Sequence, residues 1–64
     1  MRNNAIVFLE GLIDSLSADI EGLDFQLEMN RKDDPKVASL FEGLQQKYLE
    51  ARETALHASN LLRN

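Results

Sequence analysis

The fold class this sequence predicts is all-α, an antiparallel two-helix hairpin of coiled-coil type, and three observations predict it. Apolar residues recur at alternating steps of three and four along the first half of the chain, and the same alternation returns along the second half. Between the two runs lies a single short polar stretch, closed on its far side by the sole proline, Pro35. Two amphipathic helices joined by so short a connection pack side by side in opposite directions.

The first helix is expected from about residue 4 to residue 29. Its seam passes through Ile6, Leu9, Ile13, Leu16, Ile20, Leu23 and Leu27. Ile or Leu at every a position and Leu at every occupied d position is the arrangement that packs knobs into holes. Asn30 tolerates the left-handed conformation that ends many helices, and Arg31 and Lys32 suit the negative end of the helix dipole. The turn is therefore placed at residues 30–34. Asp34 can cap the next helix by accepting an orphan backbone N–H, while Pro35 has no N–H to leave unpaired at the first helical position. Asp33 is a rival cap one residue earlier.

The second helix follows from about residue 35 to residue 62, with a seam through Val37, Phe41, Leu44, Tyr48, Ala51, Ala55, Ala58 and Leu62. A turn centred near residue 32 sets Leu9 opposite Ala55, Ile6 opposite Ala58 and Ile13 opposite Ala51. Phe41 and Tyr48 then meet the region of Leu23 and Leu16. Large side chains against small ones fill a core without voids. Gly11, Gly22 and Gly43 fall inside these helices, each at a cost of about 1 kcal/mol relative to alanine. Residues 1–64 thus read as one helical hairpin with no second domain.

Size and composition narrow what such an object can do. A 64-residue chain hides only about 60% of the surface that its unfolded form exposes, so it is marginal alone. It has no cysteine, which removes disulfides, thiolate metal sites and cysteine nucleophiles and fits a reducing compartment. The longest apolar run, Ala5 to Leu9, is far short of the roughly 20 residues of a membrane span and of a signal-peptide core. A cytoplasmic location is the expectation. The net charge of −4 is divided unevenly, with −5 on residues 1–30 and +1 on residues 31–64. Arg31, Lys32 and Lys36 are the only basic cluster, diluted by Asp33 and Asp34, so neither nucleic acid nor a membrane surface is an expected partner. The like-charged pairs Glu10–Asp14 and Asp24–Glu28, four residues apart, repel within the isolated helix and hint at a basic partner.

Catalysis has little to stand on. His57, the sole histidine, falls off the seam, and the residue three before it is Thr54, so the Glu-x-x-His pair of di-metal bundles is absent. Glu53 and Glu50 share its face and make at most a weak cation site. Ser15, Ser17, Ser39 and Ser59 have no base partner at a readable spacing, and no phosphate or calcium loop occurs. Paired carboxylates need an enclosed site, which a hairpin does not provide. No enzyme activity, cofactor, metal or small-molecule substrate is expected.

The residues that the seams leave over carry the functional information. Phe8 and Leu12 lie on one flank of the first helix, Phe25 and Met29 on its outer face beside Ala18 and Gly22, and Leu40, Leu49, Leu56 and Leu61 lie off the seam of the second. Two helices cannot cover both a seam and these flanks, so Phe8, Leu12, Phe25, Met29, Leu40, Leu49 and Leu56 are the candidate partner-binding residues. The run Leu44-Gln45-Gln46-Lys47-Tyr48-Leu49-Glu50-Ala51, leading into Ala55 and Ala58 behind a leucine-rich first helix and a short turn, resembles the small helical-hairpin co-chaperones of the type III secretion needle subunit. The likeness covers most of the chain as architecture. It implies a larger helical-repeat chaperone as partner, and a shared task of keeping the needle subunit from polymerising in the bacterial cytoplasm. The strong Ile/Leu seam of the first helix departs from that pattern and would equally suit self-association. The expectation is a small adaptor or co-chaperone that packs apolar helix faces against a helical partner. The alternatives are a self-associating structural or regulatory four-helix bundle, and a small non-catalytic subunit of a larger complex.

Overall fold

The computed structural model describes residues 3–64, and in it the chain is two helices, α1 (Asn4–Asp33) and α2 (Pro35–Arg63), packed antiparallel. Arg2, the one base counted in the first half, lies outside the described residues. The body measures 51 × 14 × 11 Å between Cα atoms, the dimensions of two helices lying side by side.

Both helices are capped by the side chains their sequences offer. The Asn3 side chain accepts the Ala5 N–H at 2.7 Å and opens α1. At the other end α1 runs through the expected turn, and a single residue, Asp34, joins the helices. Asn30 does not take a left-handed conformation; among the described residues none has positive φ. Its Nδ2 instead donates to the Gln26 carbonyl at 2.8 Å, and its own carbonyl accepts the Asp34 N–H at 2.9 Å, which carries the helix three residues further. Asp34 caps in both directions. It ends α1 through that N–H and starts α2 by accepting the Val37 N–H on its side chain at 3.3 Å and the Ala38 N–H on its carbonyl at 3.0 Å. Its φ of −148° and ψ of 84° lie outside the helical region, which a following proline disfavours. Arg31 and Lys32 occupy the last turn of α1.

The seam of α1 is the one its periodicity predicts: Ile6, Leu9, Ile13, Leu16, Ile20 and Leu23 are half-buried and Leu27 is buried. That of α2 is not. Phe41, Tyr48 and Ala55 face α1 as expected, and Val37 and Ala58 are half-buried, but the line also runs through Ala38, Gln45, Arg52 and Ser59, whereas Leu44, Ala51 and Leu62 are exposed. The two lines share three residues and differ by a rotation of α2 about its axis. Gln45 Nε2 reaches the Ile20 carbonyl at 3.4 Å and Asp24 Oδ1 at 3.5 Å, and Arg52 Nη1 reaches Ser17 Oγ at 3.4 Å. These contacts also move the register. Arg52 with Ser17 and Arg63 with Glu10 stand a few positions further along than a turn at residue 32 would put them.

Candidate functional site

The core that results is small. Leu27, Ala38 and Ala55 are its buried apolar residues, and among the described residues no large side chain is fully enclosed. Many large apolar side chains are therefore exposed, among them Phe8, Phe25, Leu40 and Leu44, and the rotation of α2 sorts them. Residues seven apart share a flank of a packed helix. Glu10, Ser17 and Asp24 form one such flank of α1, and they are met by Arg63, Arg52 and Gln45, the first pair an ion pair at 3.3 Å. This side of the hairpin is polar and largely satisfied within the molecule.

The opposite flank of α1 carries Leu12, Asp19 and Gln26, with Phe8 just beyond. Asp19 and Gln26 join Ala18, Gly22, Leu23 and Tyr48 in lining a shallow open groove of about 420 Å³. On α2, Leu44, Ala51 and Ala58 lie on the side of the Phe41–Tyr48–Ala55 line away from Gln45 and Arg52, and so on the same side as this groove. Leu62 continues them at the open end and Leu40 stands beside them at 74% exposure. The hairpin thus has one polar side and one apolar side. Charge on the apolar side is confined to Asp19, Asp33 at the turn end, and Lys47.

A second uncovered surface is the outer ridge of α1, through Val7, Gly11, Ala18, Gly22, Phe25 and Met29. Phe25 is 62% exposed and Met29 57%. A Cβ added at Gly11 or Gly22 would meet nothing within 4 Å, so the packing of the hairpin itself does not require glycine at either.

The candidate partner-binding residues consequently do not form one surface. Phe8, Leu12 and Leu40 belong to the apolar side, Phe25 and Met29 to the outer ridge, and Leu56 to the polar side, where it is 37% exposed. Leu49, expected off the seam, is half-buried on that same polar side, because the rotation of α2 turns it toward α1. Leu44, Ala51 and Leu62, expected in the core, are instead exposed on the apolar side. The polar pair Gln45 and Arg52, seven residues apart and flanked by Phe41, Tyr48 and Ala55, is the sequence signal that could have revealed this.

The repulsion expected between Glu10 and Asp14, and between Asp24 and Glu28, is partly relieved inside the molecule. Arg63 binds Glu10, Gln45 reaches Asp24, and Arg31 pairs with Glu28 at 3.2 Å. The hint of a basic partner weakens accordingly. Among the described residues no group of three His, Asp or Glu side chains could hold a metal ion, and His57 is exposed. No helix among them is long and apolar enough to cross a membrane. Comparison with protein-family models, curated proteins and solved structures finds no match for this chain.

Proposed function

We propose that the hairpin is a protein–protein interaction module without catalysis of its own, a small cytoplasmic adaptor or co-chaperone that packs uncovered apolar helix faces against a helical protein partner. The observation that carries this reading is the imbalance between core and surface. Leu27, Ala38 and Ala55 are buried, while Phe8, Phe25, Met29, Leu40, Leu44 and Leu62 stand exposed on two sides of the hairpin. Large apolar side chains grouped on one side of a helix mark a docking surface, whereas singly scattered apolar residues do not. Helices dock in such places by laying a stripe with i, i+3, i+4, i+7 spacing into a facing groove. The acidic balance and the absence of a basic stripe favour protein over nucleic acid as partner.

The specific case suggested by the likeness to needle-subunit co-chaperones is a helical-repeat chaperone seated on these sides, with the needle subunit as the shared client. The test is to express the tagged chain in its own cell, crosslink it, and identify what it holds by mass spectrometry. Phe25→Glu and Leu12→Glu should keep the circular dichroism of the parent and lose a partner. Variants that are helical and still hold every partner the parent holds would overturn the reading.

A further inference from the structure

We propose that the apolar side is covered by a second copy of the chain, laid face to face with its ends reversed, about a two-fold axis that passes beside Ala51. This rests on the binding reading and names the occupant of the apolar side, including Gly22 of the groove, while Phe25 and Met29 on the outer ridge of α1 are left for a different partner.

Three features support this occupant. The first is area. One whole side of a body 51 Å by 14 Å between Cα atoms comes to about 700 Å², close to the roughly 800 Å² per partner that a standard stable interface buries. The apolar side is therefore large enough for a dimer only if most of its length is used, which a reversed copy of equal length does.

The second is size complementarity of the face with itself. Reversal about Ala51 sets Leu44 over Ala58, Leu40 over Leu62 and Ala51 over its own counterpart. Because Arg52 reaches Ser17, the axis crosses α1 near residue 17. There the reversal brings Leu12 over Gly22 and Phe8 over Gln26, so each copy inserts a large side chain into the other's groove. The open space above Gly22 then has an occupant. A two-fold contact must be self-complementary in this way, each residue meeting a partner that meets it in return.

The third is charge. In the reversed arrangement Asp19 meets Ser15 and Lys47 meets Ala55, so no like charges oppose each other. Asp33 lies at the turn end of this side, beyond the paired length, and the other acids of α1 stay on its polar flank and back.

The sequence contains no cysteine, so introduced thiols report geometry without background. Sedimentation equilibrium of the parent over a concentration series should give twice the 7.3 kDa chain mass. Ala51→Cys should oxidise readily to a disulfide-linked dimer with unchanged helicity, because facing residues at a close helix contact come within disulfide reach. His57→Cys, on the outer face of α2, is the control and should stay reduced. Leu44→Glu should shift the mass to that of a monomer. A helical parent that stays monomeric throughout overturns the proposal, as does a dimer in which Ala51→Cys crosslinks no faster than His57→Cys. Crosslinking of an Asp19→Cys and Ala51→Cys mixture in place of Ala51→Cys with itself would overturn the reversed arrangement in favour of turn beside turn. The failures separate. A monomer that still loses a partner on Phe25→Glu sinks the dimer and keeps the adaptor, and a dimer that holds no other protein does the opposite.

Discussion

Two polar side chains, Gln45 and Arg52, occupy positions in the helix-helix seam that a coiled coil would give to leucine. Their contacts to the Ile20 carbonyl, Asp24 and Ser17 are long, 3.4–3.5 Å, so each contributes little net stability. What they supply is phase: only one rotation of α2 brings both within reach of α1. Replacing either by leucine should therefore raise the midpoint of urea denaturation, by about 1 kcal/mol, because an apolar seam side chain outweighs a weak buried polar contact. A fall in the midpoint would show that these contacts hold the hairpin together. Leu27 is the opposite case. It is the large side chain most fully enclosed, at 5% exposure, and Leu27→Ala should cost about 3 kcal/mol, enough to unfold much of the population in the same measurement. The different legibility of the two seams follows from such residues. Apolar side chains on α1 trace one line, and that line is the core. On α2, Phe41, Tyr48 and Ala55 belong to two lines at once, and helical periodicity cannot choose between them. The choice is made by partners across the interface, which a pattern along one helix does not contain.

At the scale of the elements, the junction explains why the choice falls as it does. Asp34 alone separates α1 from α2, and its hydrogen bonds to Asn30, Val37 and Ala38 leave no slack in which α2 could turn. The cap was readable from Asp34-Pro35, whereas the length of the turn was not. Asn30 has the chemistry of a helix end, but its side chain found the Gln26 carbonyl and the helix went on. Asp34→Ala should lower stability by about 1 kcal/mol, the usual cost of losing an N-terminal cap, and a midpoint unchanged in urea would show that the proline sets the junction by itself. The three glycines give a further prediction. None has a positive φ and none is crowded, since an added Cβ at Gly11, Gly22 or Gly43 meets nothing within 4 Å. Each glycine-to-alanine change should then stabilise the isolated helices by about 1 kcal/mol. Gly11→Ala and Gly43→Ala should show that gain in full. Gly22→Ala should fall short of it wherever a second copy's Leu12 occupies the space above the groove, and thermal melts of the three variants side by side will show whether Gly22 stands apart.

The whole molecule is a thin body, 51 Å long and two helices wide, and this shape sets the terms of its stability. Its ion pairs do little to change that. Arg63–Glu10 closes the open end at 3.3 Å, but both side chains are well exposed, and such pairs are worth less than about 1 kcal/mol. Leu27, Ala38 and Ala55 are buried and the rest of the seam is only half-buried, so covering the apolar side with another chain would add to the seam and couple folding to association. Folding coupled to dimerisation has a signature that no property of a single hairpin imitates: the melting temperature rises with protein concentration, because mass action favours the associated state. Each tenfold increase in chain concentration should add about 1.4 kcal/mol per dimer, read as a progressive shift of the circular dichroism melt. Leu44→Glu should abolish the dependence together with the dimer, while Phe25→Glu, on the outer ridge, should leave it in place. A melting temperature independent of concentration would mean that the seam alone sustains the fold, and that the apolar side is kept for a partner the hairpin can do without.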